Sequence, residues 1–553
     1  MNCIFFGFND IILKTNWRSN LMKKIMVFIT ILSLVLGLVS CDFLLNLNNS
    51  TEEQTSSTSA ISETSSSTTN DYTSSDTLIS TTIDSLPTTY TTTNSTTDFE
   101  TTVSSTTTQA IETTQTTTTN ITTTITYSEP IIPTGYSLLQ DELEEVGIPA
   151  SGDVKVLVFV VDFPDNLITN PTSVLSDVNI GFNGLSDDLP YESLNSYYRL
   201  SSFNKLNLTA DIFGVYTAEN DASFYEEAND LFYATDSLTG EYLYDDAPHP
   251  DSDVIYELLV YYNDLIDYKD YDSNDDGYID GIYVLYNHEI SYESGSDLWW
   301  AYQYYYWYED SFDTVSPNYY VWAGIDFLYE GGESVNARTI IHETGHMLGL
   351  DDYYDYYPDD LYNSGGLGTF MMDYTIGDHD VFSKILLGWV TPIVIEETMV
   401  IDLNKHLQNG DVLLIIDQWN NTIFDDYFLV TYYSPEGLNE LDQYYIFTIP
   451  GVIILHISAQ IDNGYNLDSY YYSIFNNNNT DSEHKLIKII EADMSGDIDK
   501  YAIVENSDLF LAGDGLGSNV FSDYRWYDGS LINLDINIIN IDETRARIEI
   551  IFY

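Results

Sequence analysis

"RTIIHETGHMLGLDDYYDYY" runs from Arg338 to Tyr357. Its spacing predicts a helix from Val335 to Leu348, capped by Ser334 or Asn336 and ended by Gly349 in a left-handed turn. Ala337, Ile341, Thr344 and Leu348 then share one side and face a core. His342 and His346 stand one turn apart on a common face. Two imidazole nitrogens so placed can reach one zinc ion at about 2.0–2.1 Å each. Glu343, beside the first histidine, can take a proton from a water that zinc has acidified. A chain reversing at Gly349 can bring Asp352 back under the metal as the third ligand, with Asp351 and Asp355 as nearby alternatives. An ordinary surface helix can also carry two solvated histidines, but it has no need of the glutamate, glycine and aspartate at these offsets.

The surrounding chain supplies context. Among 553 residues, 17 are Lys or Arg and 88 are Asp or Glu, a formal net charge of −71. So negative a surface repels nucleic acid and suits a solvated extracellular protein whose carboxylates can bind calcium. The two cysteines, Cys3 and Cys41, precede any foldable segment, so the fold has neither a disulfide nor a cysteine nucleophile.

"MKKIMVFITILSLVLGLVSC", residues 22–41, has a charged start, a short apolar run and a terminal cysteine. It resembles a bacterial lipoprotein signal, with Cys41 as the lipidated residue and residues 1–21 as a misassigned upstream start. The apolar run falls short of the roughly 20 residues of a spanning helix. Residues 42–132 are dominated by Ser and Thr. They bury too little apolar surface to offset ordering entropy and read as a disordered stalk. Its r.m.s. reach is about 50 Å.

Folding is expected from residue 133. "VKVLVFVVDF" (Val154 to Phe163) and "GIYVLYN" (Gly281 to Asn287) read as buried strands, as does "YYVWAGIDFL" (Tyr319 to Leu328). A helix is expected from about Glu192, and another in "SDVIYELLVYYNDLI". Strands and helices mixed in this way predict an α/β domain over 133–395. Beyond it, "MVIDL", "DVLLIID", "YFLVTYY", "YYIFTI", "GVIILHI", "YAIVEN" and "ARIEIIFY" predict an all-β C-terminal domain over 396–553.

"DYDSNDDGYIDG" places Asp272, Asn274, Asp276 and Asp280 at alternating oxygen-ligand positions, with Gly277 at the bend and the Tyr278 carbonyl as a main-chain ligand. The twelfth position is Tyr283 instead of Glu, and a strand follows instead of a helix. The spacing predicts a calcium loop without an EF-hand fold, pinning the segment before that strand. The bland alternative is an acidic surface turn.

"HETGHMLGLDDYYD" resembles the immune inhibitor A-like (M6) metallopeptidases, a metzincin group whose extended motif ends in Asp. "VKVLVFVVDFPDN", "NSYYRLSSFNKLNL", "GGLGTFMMDYTIGDHDVFSKILLGWVTP", "DDYFLVTYYSPEGLNELD" and "GVIILHI" are similar to family segments in the same order, over roughly residues 150–540. The resemblance implies an α/β metzincin-like zinc-peptidase domain, with a mixed sheet and an active-site helix, followed by the β-rich domain. It also implies a methionine turn below the metal, for which Met371 and Met372 are candidates. Met372 is favoured because Tyr374 follows at the spacing of a transition-state tyrosine in some metzincins. His379, close by, reads as structural.

The expected function is a zinc endopeptidase, held by Cys41 on the extracellular face of a bacterial membrane and acting on protein or peptide substrates. "YYVWAGIDFL" is the candidate rim strand that pairs with an extended substrate. The alternative is a catalytically idle, surface-tethered binding or adhesion protein on the same fold.

Overall fold

The computed structural model describes residues 147–553 apart from 186–188, 235–248, 291–296, 330–331, 333, 356–366, 421, 441–445, 461–474, 476, 481–483, 502 and 518–523. The upstream extension 1–21, the leader with Cys41 and the stalk lie outside the described residues. Among the described residues no helix is long and apolar enough to cross a membrane.

The described chain is mixed α/β. In order it forms β1 (Gly152–Asp162), α1 (Pro171–Asn183), α2 (Leu194–Ser201), β2 (Leu206–Thr217), α3 (Ala222–Phe232) and α4 (Pro250–Tyr262). Then come β3 (Ile282–Tyr286), β4 (Tyr302–Tyr305), β5 (Tyr319–Gly324), α5 (Arg338–Met347), α6 (Met371–Tyr374) and α7 (Val381–Leu386). The remainder is β6 (Ile393–Ile395), β7 (Met399–Asn404), α8 (His406–Asn409), β8 (Leu413–Ile415), β9 (Asp426–Tyr433) and β10 (Gly451–Ser458). It ends with β11 (Ile487–Ile489), α9 (Asp497–Tyr501), β12 (Gly515–Gly517), β13 (Leu534–Ile541) and β14 (Arg545–Phe552).

The first sheet has the order β2-β1-β3-β5-β4. Its first four strands are parallel, and β4 joins β5 antiparallel at the edge. β1 explains its own continuous apolar run. Val154, Val156, Val158 and Val160 point into one core, and Leu157, Phe159 and Val161 into another. A strand covered on both faces needs no polar alternation. One core includes Ile340 and Ile341 of α5, and the other includes Val254, Leu258 and Leu259 of α4.

The structure corrects the rim strand. β5 stops at Gly324, and Ile325–Tyr329 form a 3-10 turn. β5 is also internal, flanked by β3 and β4, so its backbone groups are already paired and β4 is the strand at that end of the sheet.

Past Ile393 the described residues form a sheet of order β11-β10-β9-β8-β6, a second sheet of order β12-β13-β14-β7, and two short helices. β9 alternates as β1 does. Tyr427, Leu429 and Tyr433 join the core that holds Ile341 and Met372, while Phe428, Val430 and Tyr432 face the last sheet. No gap in the core therefore separates the helix at 338–347 from the strands beyond 395. Two expected strands do not form as read. Residues 446–449 of "YYIFTI" and 503–506 of "YAIVEN" lie outside any ladder, and Tyr501 ends α9. These segments meet through side chains instead, Asn506 bonding the Thr448 main chain at 2.8 Å and its hydroxyl at 2.7 Å.

Candidate metal centre

α5 begins three residues later than the spacing predicts. Asn336 gives its N–H to the Leu328 carbonyl at 2.7 Å, which holds it outside the helix. Ala337 takes the cap position, and the Asn336 side chain accepts from Arg338 N at 3.2 Å. At the other end Gly349 adopts φ +84°, the left-handed turn that glycine makes without strain. The helix is tied to its surroundings by two tyrosines. Tyr198 donates to the Ile341 carbonyl at 2.7 Å, and the Tyr283 hydroxyl of β3 lies 2.9 Å from Thr344 Oγ1.

The two imidazoles are oriented from behind. His342 Nδ1 is 2.8 Å from the Met371 carbonyl, and His346 Nδ1 is 2.7 Å from the Leu350 carbonyl. A carbonyl only accepts, so each Nδ1 carries a hydrogen and each Nε2 presents its opposite edge. Those Nε2 atoms lie 3.0 Å and 3.3 Å from one atom, Oδ1 of Asp352. The three ligand atoms fall within 4.8 Å of one another, the one such group of His, Cys, Asp or Glu among the described residues. Of the three aspartates in the loop, Asp352 is the one brought to the imidazoles.

Electrostatics favour a cation at this point. Burial alone would push His346 down, but the Asp352 carboxylate lifts it to about 10. His342 is raised in the same way against the same burial. Burial would raise Asp352, yet the two histidines hold it well below the usual carboxylate range. Once a metal displaces those protons, two imidazole nitrogens and one carboxylate oxygen form a donor set that suits a divalent ion of zinc's kind.

Glu343 is 7% exposed. Burial pushes its carboxyl up, the histidines pull it back, and the N–H of Gln303 on β4 donates to it. The base candidate is thereby anchored to the edge strand.

Below the helix, Met371 and Met372 are fully buried in α6. A Cβ at Gly345 would fall 2.3 Å from Met372 Sδ, so the methionine occupies the space that a side chain at 345 would take. Tyr374 closes α6 half-buried, its N–H 3.1 Å from the Phe370 carbonyl. His379 is 2% exposed, and neither ring nitrogen has a hydrogen-bond partner. Burial first, then the charges of Lys384 and His342, hold it well below the usual histidine range.

The spacing gave no notice of a buried ion pair nearby. Lys384 Nζ meets Asp378 Oδ2 with its side chain fully buried, and Ser201 donates to Asp378 Oδ1 at 2.5 Å. A lysine inside "DVFSKILLGW" was the available signal in so acidic a chain. Asp378, His379, His406 and Ser434 line a cavity of about 30 Å³ against the sheet of β9 and β10.

The second predicted site is a loop closed on itself. Asp272 accepts from Asp276 N and Gly277 N, each at 3.0 Å. Asp276 accepts from Tyr278 N at 2.8 Å, and Asn274 Nδ2 reaches Asp276 Oδ2 at 2.9 Å. Gly277 has φ +92°. Asp280 is 2% exposed; Ser273 N donates to its Oδ2 at 2.9 Å, while Oδ1 is buried without a hydrogen bond. Burial, with repulsion from Asp276 and Asp272, raises Asp280 to about 7. Asp272, Asp276 and Asp280 share the loop without converging within 4.8 Å as the His342 group does. Tyr278 is exposed, and its neighbour Gly277 accepts from Ser316 N at 2.9 Å, joining the loop to the segment before β5.

No family model matches the chain, and no curated protein matches it.

Proposed function

We propose that this protein is a zinc-dependent endopeptidase of metzincin-like fold, with His342, His346 and Asp352 as ligands and Glu343 as general base. The observation that carries the reading is the convergence of both Nε2 atoms on Asp352 Oδ1 with a buried glutamate alongside. Held by these three residues, zinc would supply Lewis acidity to the scissile carbonyl and to water. Glu343 accepts a proton from water as the water oxygen adds to the scissile carbonyl carbon, and passes it to the amine nitrogen as the C–N bond breaks. The Gln303 N–H holds the carboxylate in place for both transfers. β4, the strand at that end of the sheet, is the candidate to run alongside an extended substrate in place of β5. Tyr374 remains the candidate for stabilising charge in the transition state, and Met372 forms the floor.

The acidic loop at 272–280 is read as a calcium site, with the buried Asp280 Oδ1 as one oxygen ligand. The β-rich C-terminal region, the lipid anchor at Cys41 and placement on the outer face of a bacterial membrane complete the proposal, on the sequence patterns given above. Casein degradation by the zinc-loaded protein, set against Glu343→Ala, is the test. Cleavage by the parent and none by the variant is expected. Equal behaviour of the two would leave the idle, tethered binding protein standing.

A further inference from the structure

Asp352 sits on a loop that side chains from far along the chain help to hold. The following residue, Tyr353, gives its N–H to the Met372 carbonyl at 2.8 Å, and its carbonyl accepts from Leu367 N at 3.1 Å. The same carbonyl is reached from far along the chain by Asn479 Nδ2, at 3.1 Å. Thr480 Oγ1 donates to the next carbonyl, that of Tyr354, also at 3.1 Å. The Tyr354 ring lies near-parallel to the His342 imidazole, with centroids 6.5 Å apart.

Asn479 is itself fixed. It is 1% exposed, its Nδ2 also donates to the Ile487 carbonyl at 2.9 Å, and its Oδ1 accepts from Ile487 N at 3.1 Å. Ile487 begins β11, the strand paired to β10. One amide thus bridges a sheet edge and the loop bearing the third ligand. A buried primary amide with three of its four hydrogen-bonding positions filled holds a single rotamer.

The geometry points to Asn479 and Thr480 as positioning residues for the metal: they set where the Asp352 carboxylate stands relative to the two imidazoles. This deepens the zinc reading above and rests on it. It also gives the C-terminal strands a part in the site, because the clamp holds only when β11 is in register. Partners that orient a ligand change metal affinity by about 10- to 100-fold when removed.

The test measures the zinc dissociation constant of the full chain by chelator competition, with thermal unfolding of the zinc-free protein alongside. Thr480→Val removes the hydroxyl at nearly constant shape, Thr480→Ser keeps it, and Asn479→Ala removes the bridge. Zinc binding weakened 10- to 100-fold in Thr480→Val and Asn479→Ala, with Thr480→Ser near the parent value, is expected. Were Asn479→Ala too unstable to purify, the Thr480 pair would decide alone. Parent-like zinc affinity in folded Thr480→Val, with only its melting temperature lowered, overturns the positioning role. Failure of the parent protein to bind one zinc overturns the metal reading instead.

Discussion

The Met371 carbonyl lies 2.8 Å from Nδ1 of His342 and sets which edge of that imidazole faces Asp352. This relation requires α6 to press against α5, which it does at Gly345, where a Cβ would meet Met372 Sδ at 2.3 Å. Helix propensity alone favours Ala over Gly by about 1 kcal/mol. Overpacking a closed core costs about 1–3 kcal/mol and moves Met372 together with its neighbour's carbonyl. Gly345→Ala should therefore destabilise the protein in urea and weaken zinc about tenfold in a chelator titration. A more stable variant with parent-like zinc affinity would refute this account of the methionine floor.

Glu343→Gln should separate chemistry from binding. The amide oxygen can still accept from Gln303, so the side chain keeps its place, but it cannot carry a proton between water and amine. The turnover number should fall by about 100- to 10,000-fold with one zinc retained per chain. Residual turnover within a factor of ten of the parent would remove Glu343 from the base role.

The parts of this molecule that were legible in the sequence are those governed by local rules. The histidine spacing, the left-handed Gly349 and the doubly buried run of β1 follow from helix pitch, turn sterics and strand period. What escaped is what long-range pairing decides. Whether β5 or β4 forms the sheet edge depends on which strand adds last, and no window of residues records that. The segments at 446–449 and 503–506 have strand-like composition, yet they are joined by Asn506 and Thr448 side chains. Nothing in a run of four asparagines singles out Asn479, because its partners are Tyr353 and Ile487. The Lys384–Asp378 pair was hidden for another reason: a buried lysine needs a partner brought to it by the fold, and that too is tertiary information.

Calcium should act on stability more than on the chemistry. Asp280 Oδ1 is buried without a hydrogen bond, and Asp272 and Asp276 crowd the same loop. Adding calcium to chelator-treated protein should raise the melting temperature by several degrees, since binding to the folded state alone contributes about 2.7 kcal/mol at a hundredfold excess over Kd. Asp280→Asn should abolish that rise while zinc binding persists. A calcium-independent melting temperature in the parent would reduce this loop to an acidic turn.

His406 should make the fold sensitive to acid. It is 9% exposed, Nδ1 donates to the Asp411 carbonyl at 3.1 Å, and Nε2 is buried without a partner. Burial first, then the nearby Lys384 charge, lower it to about 4, against the pull of Asp378 and the Asp411 carbonyl. A histidine depressed on folding contributes stability that is complete above the unfolded value of about 6.5 and is lost as pH falls from there towards 4. The loss assigned to this one group is on the order of 3 kcal/mol. His249, lowered to about 4, and His379, also depressed, act in the same direction, so the total does not isolate His406. The difference between parent and His406→Gln does. At pH 7.5 the parent should be the more stable in urea unfolding, because it keeps the bond to Asp411. By pH 5 that advantage should shrink or reverse, since the glutamine has no proton to gain. A parent-to-variant gap that stays constant from pH 7.5 to pH 5 would place the acid sensitivity of the fold elsewhere.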